Sequence, residues 1–331
     1  MPRMSPRKSS GRVLPDGRRL GAHLPLGGGM VAAVDRARQI GARALQVFAD
    51  NPTAWRRRTE PPTELPKFRR RIAELDIGPI AIHAAYLINL AGPEDDFRER
   101  SVAVLAEELR VAPGFGARFV NVHTGSHKLT GLEAGIDRVG EGVARALAGS
   151  PDGPDAAMLV LENSAGGGGG VGTTVEELGA VLEAAERHGA DPARVGLCLD
   201  TAHLWGAGHR ISDAEGVDAL VDEIDRRIGI ERVVMMHLND SKSALGSRLD
   251  RHEHLGAGEI GAAGIQRWLT HPRLAHVTYY LETPGMDEGY DKINVRRAYA
   301  IAAGSPLPRL PRGAANVRGS RSRSGPATEP A

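Results

Sequence analysis

AMLVLENSAGGGGGVGTTVEELGAVLEAAERHGADPARVGLCLD, residues 157–200, holds one full repeat of the pattern that decides the fold. It opens on a nearly continuous aliphatic run (157–163) and closes on another (195–200), as strands covered on both faces do. Between them Thr174 and Glu177 open an amphipathic segment. Leu178, Val181, Leu182 and Ala185 share one of its faces and Gly189 lies just past its end, the layout of a capped helix. The run GGGGG (166–170) after the first strand reads as a flexible loop, with a phosphate cradle as the alternative.

The same unit recurs in both directions. Strand-like runs fall at RLGAHL (19–24), ALQVFA (44–49), PIAIHA (79–84), RFVNVHT (118–124), RVVMMHLN (232–239) and VTYYLET (277–283). Helical spacing follows near 30–41, 64–75, 95–112, 131–148, 262–270 and 290–302. Another helix opens with a capping box from Ser212 to Glu215, carries Val217, Leu220, Val221, Ile224 and Ile228, and ends at Gly229. Eight strand–helix units without a composition break predict a closed (β/α)8 TIM barrel. The runner-up, a doubly wound open sheet, usually shows a phosphate turn after its first strand. GGG (27–29) does not fit that G-x-G-x-x-G pattern.

The 331 residues, 41% hydrophobic and 25% charged, suit one barrel-sized unit. One cysteine, Cys198, excludes an internal disulfide framework. No stretch approaches a membrane span and the start lacks the apolar run of a signal peptide, so a cytoplasmic, monomeric protein with no membrane partner is expected. The net charge of +1 is unevenly spread: residues 1–19 carry +5, residues 305–331 carry +4, and the body between them carries −8. The Pro-, Ser- and Arg-rich ends, 1–18 and 305–331, read as disordered basic tails around a domain at 19–304. Loose basic arms could add non-specific attraction to nucleic acid. Removal of 305–331 is expected to leave the chemistry unchanged.

Histidines and carboxylates fall at one end of the strands. Strand three ends at His83, four at His123, five at Glu162, six at Asp200, seven at His237 and eight at Glu282. His203 lies one helical turn past Asp200. LDRHEHLGAGEI (249–260), after strand seven, adds Asp250 and His252 on a glycine-hinged loop. A lone strand-end histidine is more often a hydrogen-bonded structural residue. Here that reading would have to hold independently at six consecutive strands. In a barrel these ends surround one mouth, and imidazole and carboxylate are the ligands of zinc and manganese. Nine such groups suit two or three ions, at roughly four ligands each with some bridging. His23 ends strand one at the same mouth and suits an outer role. His188, His271 and His276 read as surface residues, while His209 and His254 stay open.

The motifs GAHLPLGGG (21–29), HAAYLINLAGP (83–93), NVHTGSH (121–127), LENSAG (161–166), LDTAHLWGAG (199–208), HLNDSK (237–242), GSRLDRHEHLGAGEIG (246–261) and LETP (281–284) resemble, in order, the endonuclease IV family of apurinic/apyrimidinic endonucleases. The resemblance implies a TIM barrel with three zinc ions per chain, manganese being able to take one place. It puts one ion on His83, His123 and Glu162, with Glu162 bridging to a second held by Asp200, His237 and Glu282. His203, Asp250 and His252 take the third. Glu162 is also the candidate catalytic residue. The implied substrate is double-stranded DNA with abasic sites, cut 5′ to the lesion to leave a 3′-hydroxyl and a 5′-deoxyribose phosphate. Divalent ions would supply a nucleophile near neutral pH and relieve phosphoryl charge. The damaged nucleotide must leave the stack to be reached.

Tyr86 and Leu87 match two side chains that the family inserts into DNA. A third, an arginine in the loop after strand two, is replaced by Thr53. Arg56, Arg57 and Arg58 follow at once and could compensate. Ala84 stands where HDSY, the more usual form, has Asp. Lys242, Arg248 and Arg251 lie beside the metal motifs and could pair with phosphates. Two other functions compete. A sugar isomerase or epimerase on a similar barrel would use Glu162, Asp200, His237 and Glu282 for a single manganese, leaving the other donors without a purpose. A non-catalytic binder of damaged DNA would gain little from a complete ligand set.

Overall fold

All eight aliphatic runs become strands in the computed structural model, which describes residues 14–285 and 288–314. In chain order they are Leu20–His23 (β1), Ala44–Val47 (β2), Ile80–His83 (β3), Ala117–His123 (β4), Met158–Glu162 (β5), Val195–Asp200 (β6) and Val233–His237 (β7). A short pair follows, Asp240–Ser241 (β8) and His252–Glu253 (β9), and Thr278–Leu281 (β10) ends the series. The eight longer strands form a closed parallel barrel in the order β1-β10-β7-β6-β5-β4-β3-β2. Nine α-helices are described: Met30–Ile40 (α1), Leu65–Leu75 (α2), Asp95–Phe115 (α3), Leu132–Ala148 (α4), Val175–Arg187 (α5), Thr201–Ala207 (α6), Ala214–Arg227 (α7), Gly261–Thr270 (α8) and Asp291–Ala302 (α9). The barrel is therefore confirmed and the open sheet excluded. No described helix is long and apolar enough to cross a membrane.

Two cores result. The larger lies between strands and helices, and Val34, Leu105, Val143, Val181, Val221 and Trp268 belong to it. The smaller fills the barrel with one side chain from each of seven strands: Ala44, Ala81, Phe119, Val160, Cys198, Met235 and Tyr280. Strand side chains repeat direction every second residue. Two positions further along, the same inward face carries Gln46, His83, Asn121, Glu162, Asp200, His237 and Glu282. The apolar layer is thus a floor, and the polar side chains stand on it at the mouth.

Several local expectations need correction. Asp213 rather than Ser212 caps α7, its side chain accepting from the Gly216 amide; a carboxylate serves that end of the helix dipole better than a hydroxyl. Thr174 does cap α5, accepting from Glu177 N. The GGGGG run is packed, not a free spacer. His127 N donates to Gly169 O at 3.0 Å, and a Cβ on Gly167 would lie 2.9 Å from the Arg248 carbonyl. Side chains there would push the surrounding loops apart.

Residues 1–13 and 315–331 lie outside the described residues, but the parts of the expected tails that are described pack on the barrel. Arg18 is buried and donates to Leu269 O at 2.9 Å and His271 O at 3.3 Å. Leu307 packs against the core and Ala314 is buried. The packed body therefore extends over at least 14–314.

Gly21 stands below His23 on the inward face of β1, where a Cβ would sit 2.7 Å from the backbone carbon and oxygen of Ala44. Gly21→Ala is expected to lower stability by about 1–3 kcal/mol. An unchanged urea midpoint would show that β1 and β2 can part there without cost.

Candidate metal centre

The strands aim their terminal side chains at one axis, and local devices bring in the rest. Asp200 ends β6 and caps α6: its Oδ1 accepts from Ala202 N and His203 N at 2.7 and 3.0 Å. That capping turn swings His203 back over the mouth. β8 and β9 pair antiparallel, Ser241 opposite His252, and so return the loop of Asp250 and His252 to the barrel. Asp240 fixes the following turn by accepting the amides of Gly258, Ile260 and Gly261 at 3.0–3.2 Å.

Glu162 is the hub. Its Oε2 lies 3.7 Å from His83 Nε2 and 3.8 Å from His123 Nδ1, while Oε1 lies 3.1 Å from His237 Nδ1 and 3.3 Å from His203 Nδ1. His237 Nδ1 also faces Glu282 Oε2 at 3.4 Å and Asp200 Oδ2 at 3.9 Å. His252 Nε2 lies 3.6 Å from Asp200 Oδ2 and 3.0 Å from Asp250 Oδ1, and His203 Nε2 lies 3.3 Å from Asp250 Oδ2. Three sets made of histidines and carboxylates alone have their donor atoms within 4.8 Å of one another: His83, His123 and Glu162; Glu162, Asp200, His237 and Glu282; and Asp200, His203 and His252. All nine residues expected from the sequence converge. Asp250 joins the third set from the rim, its side chain 42% exposed. Cys198 lies near Glu162 and His237, but burial pushes its thiol up to about 12, so it stays protonated in the apolar floor.

The imidazoles are oriented for metal. His83 Nδ1 faces Ala84 O at 2.7 Å, His203 Nδ1 faces Asn163 O at 2.9 Å and His252 Nδ1 faces Glu282 O at 2.8 Å. A carbonyl only accepts, so in each ring that nitrogen carries the proton and Nε2 keeps its lone pair. His237 is the mirror case. Gln46 gives its NH2 to Glu282 Oε1 at 2.6 Å, which turns its oxygen to His237 Nε2 at 3.0 Å. The Nδ1 lone pair then faces three carboxylates. His252 Nε2 is buried without a hydrogen-bond partner. Lone pairs aimed at carboxylate oxygens repel unless a cation lies between them, so the donor set fits a divalent metal. The field has the same sign. Burial opposes the charged form of His252, yet Asp250 and Asp200 hold its pKa up at about 10. Burial alone dominates at His83 and pushes it down to about 4.

An outer ring, only partly legible in the sequence, supports these ligands. His23 Nδ1 meets Glu282 Oε1 at 2.9 Å, as its strand end suggested. Gln46, Asn121 (2.6 Å to Glu162 Oε2) and Asn239 (2.7 Å to Asp200 Oδ2) escaped the sequence reading. For the two strand residues, Gln46 and Asn121, the signal was the two-residue inward period, which His, Asp and Glu outshone. Elsewhere, His254 is buried, His209 bonds Thr173 O, and His188 and His276 are exposed. His271 is buried, a correction to its surface reading: its ring accepts from Arg273 N.

Fold and site together define a metal-dependent enzyme on an α/β barrel. The profile of the xylose isomerase-like TIM barrel family matches residues 34–303. The "probable endonuclease 4" of Halothermothrix orenii is 37% identical over 282 residues, 84% of this chain and 99% of that protein. Endonuclease IV from Thermus thermophilus, a solved structure, superposes with a TM-score of 0.74 at 37% identity, over 87% of this chain and 100% of that one. A D-tagatose 3-epimerase-like protein reaches a TM-score of 0.61 at 14% identity over 86% of this chain and 98% of its own, which speaks to the fold alone. The chain belongs to the endonuclease IV family of apurinic/apyrimidinic endonucleases.

The side chains expected to meet DNA divide in two. Tyr86 is 54% exposed, with its ring against Phe48 and His83, and Leu87 is half-buried beside it. Arg56, Lys242, Arg248 and Arg251 are exposed around the mouth. Thr53 folds back onto Asn51 through its amide and hydroxyl. Arg57 turns inward. It bonds Glu108 Oε1 at 3.2 Å and the carbonyls of Ala54 and Asn51, and only a tenth of its side chain is exposed. It holds the loop together and does not replace the missing arginine.

Burial raises the Glu108 carboxyl to about 7, with Arg57 pulling the other way. A carboxyl whose folded pKa exceeds its unfolded value favours folding less as pH rises through that interval. Arg57→Ala removes the opposing charge and widens the interval upward. The variant is expected to lose more stability at pH 8 than at pH 5, by about 1–3 kcal/mol. Equal losses in urea midpoint at the two pH values would show that Glu108 does not sense Arg57.

Proposed function

We propose that the centre holds three zinc ions and that the chain hydrolyses duplex DNA on the 5′ side of abasic sites, leaving a 3′-hydroxyl and a 5′-deoxyribose phosphate. One observation carries the reading: the two oxygens of Glu162 face different imidazole nitrogens, Oε2 toward His83 Nε2 and His123 Nδ1 and Oε1 toward His237 Nδ1. A carboxylate so placed bridges ions. In this reading His83, His123 and Glu162 hold the first, and Glu162, Asp200, His237 and Glu282 the second. His203, Asp250 and His252 hold the third, with Asp200 within reach. Manganese can take one of these places, since the ligand types suit both metals.

When bound, the ions supply charge neutralisation at the scissile phosphate and acidify a water for attack. The chain's own residues do the rest. Asn121 and Gln46 orient Glu162 and Glu282. The carbonyls behind His83, His203 and His252 hold the ring proton on Nδ1, so that Nε2 is the nitrogen turned toward the metal. Tyr86 and Leu87 stand beside the cluster where an abasic gap can be filled, and Arg56, Lys242, Arg248 and Arg251 stand at the rim where backbone phosphates would pass. The working unit in this reading is the packed body, with the segments outside it adding at most salt-dependent attraction.

A sugar epimerase of similar fold would need one metal and neutral surroundings. His83, His123 and the Asp250–His252 loop exceed that need, and the endonuclease relatives align over nearly their whole length. Glu162→Gln is expected to lower nicking of an abasic duplex by more than about 100-fold, beyond what loss of an outer-shell partner costs. It should also reduce bound zinc, and chelator should silence the parent enzyme. Full nicking by the variant would remove Glu162 as the bridge, and nicking that survives chelation would remove the metal reading altogether.

A further inference from the structure

The family match ends at residue 303, yet the chain continues against the segment that follows His252. Residues 305–314 run back along α9 toward the loop that carries Asp250 and His252. Leu307 packs against the core, and a Cβ on Gly256 would lie 2.9 Å from its Cδ1. Pro308 O accepts from Arg297 Nη1 at 2.6 Å, and the Nε of the same guanidinium donates to Leu255 O at 2.5 Å. Ala314 O takes the last contact, 3.1 Å from Nε2 of His254, a fully buried ring two residues past His252. The other nitrogen of His254 accepts from Asn294 Nδ2 at 2.9 Å. Asn294 Oδ1 is already engaged by Leu255 N, so the amide cannot flip and the Nε2 of His254 must be the donor.

The loop is tied to α6 by the Gly246 and Arg248 amides, which donate to Trp205 O and Gly206 O, and at its far turn by Asp240. The stretch between those ties, which carries Asp250 and His252, needs a brace. Among the described residues, two residue pairs of β8 and β9 are its only ladder, and Ala244, Leu245, Arg248, Leu249, Asp250 and Arg251 are exposed. We propose that residues 305–314 form a strap that positions the metal loop, and that His254 is the positioning residue through which it acts. The chain runs from Ala314 and Pro308 through His254 and Leu255 to His252, whose ring is set by Glu282 O. The strap holds the third metal position and leaves the strand-borne positions to the barrel. This rests on the reading that Asp250 and His252 bind metal. It also reverses the expectation that 305–331 is dispensable.

Two full-length variants test it. Leu307→Ser loosens the strap without changing any residue of the loop. His254→Phe keeps an aromatic ring against Tyr290 but can neither donate to Ala314 nor accept from Asn294. Zinc per chain, its release to a chelator, melting temperature, and kcat and KM on an abasic duplex are measured. In both variants one zinc is expected to leave about 10–100-fold faster while the others keep the parent rate. kcat should fall and KM hold. A parent that takes up no zinc fails the metal reading itself. If the parent holds three ions and the variants release them at the parent rate, the strap alone fails. It fails equally if all three leave faster in step with a lower melting temperature.

Discussion

Side chains two residues apart on a strand point the same way, and on the inner face of a closed barrel that way is the axis. The rest of the molecule depends on this constraint. It lets seven strands each contribute one apolar residue to a floor and, two positions on, one polar residue to the mouth. It brings residues as distant in sequence as His83 and Glu282 into one cluster with no dedicated scaffold. The floor also sets the electrostatics. Cys198, Met235, Phe119 and Tyr280 exclude water from below, so each charge above them is weakly screened and each lone pair has to be matched.

That matching explains the outer ring. Five imidazoles and four carboxylates crowded together would leave ring tautomers undetermined. Three backbone carbonyls and one glutamine oxygen determine them for four of the five rings. In each case the proton is drawn to the far nitrogen and the near one is left bare. Asn121 and Asn239 do the complementary work, giving N–H groups to Glu162 and Asp200 so that one direction of each carboxylate is occupied and the other stays free.

The sequence carried the barrel and the nine donors because both are written at short range. Aliphatic runs mark buried parallel strands, and a histidine or carboxylate closing all but the second of them marks the mouth. What stayed hidden depends on distant partners. Gln46 and Asn121 are ordinary strand residues until Glu282 and Glu162 stand beside them. Arg57 looked like one of three solvated arginines, and only the fold brings Glu108 of α3 against it. The glycine run looked flexible because nothing local shows that Arg248 and His127 close on it. Residues 305–314 have a tail's composition, yet Leu307 and two backbone carbonyl contacts, Pro308 O with Arg297 and Ala314 O with His254, keep them on the barrel.

Charge gives the last discrimination between a nuclease and a sugar enzyme on this barrel. With the imidazoles neutral, the four carboxylates Glu162, Asp200, Asp250 and Glu282 set the charge of the site. One divalent ion would leave it at −2 and three would bring it to +2. A neutral sugar tolerates the first value, whereas a phosphodiester is repelled by it and drawn to the second. In a low-dielectric pocket the difference is large, because two unit charges 4 Å apart interact by about 4 kcal/mol even at an effective dielectric of 20. The body of this chain is itself acidic, −8 between residues 20 and 304, so its overall field does not favour DNA. Attraction has to be local, and the donors that the epimerase-type site lacks, His83, His123, His203 and His252, bind metal as neutral imidazoles. They add capacity for cations without adding negative charge. Extra histidines rather than extra carboxylates are what turn an anionic barrel mouth into a place for a phosphate.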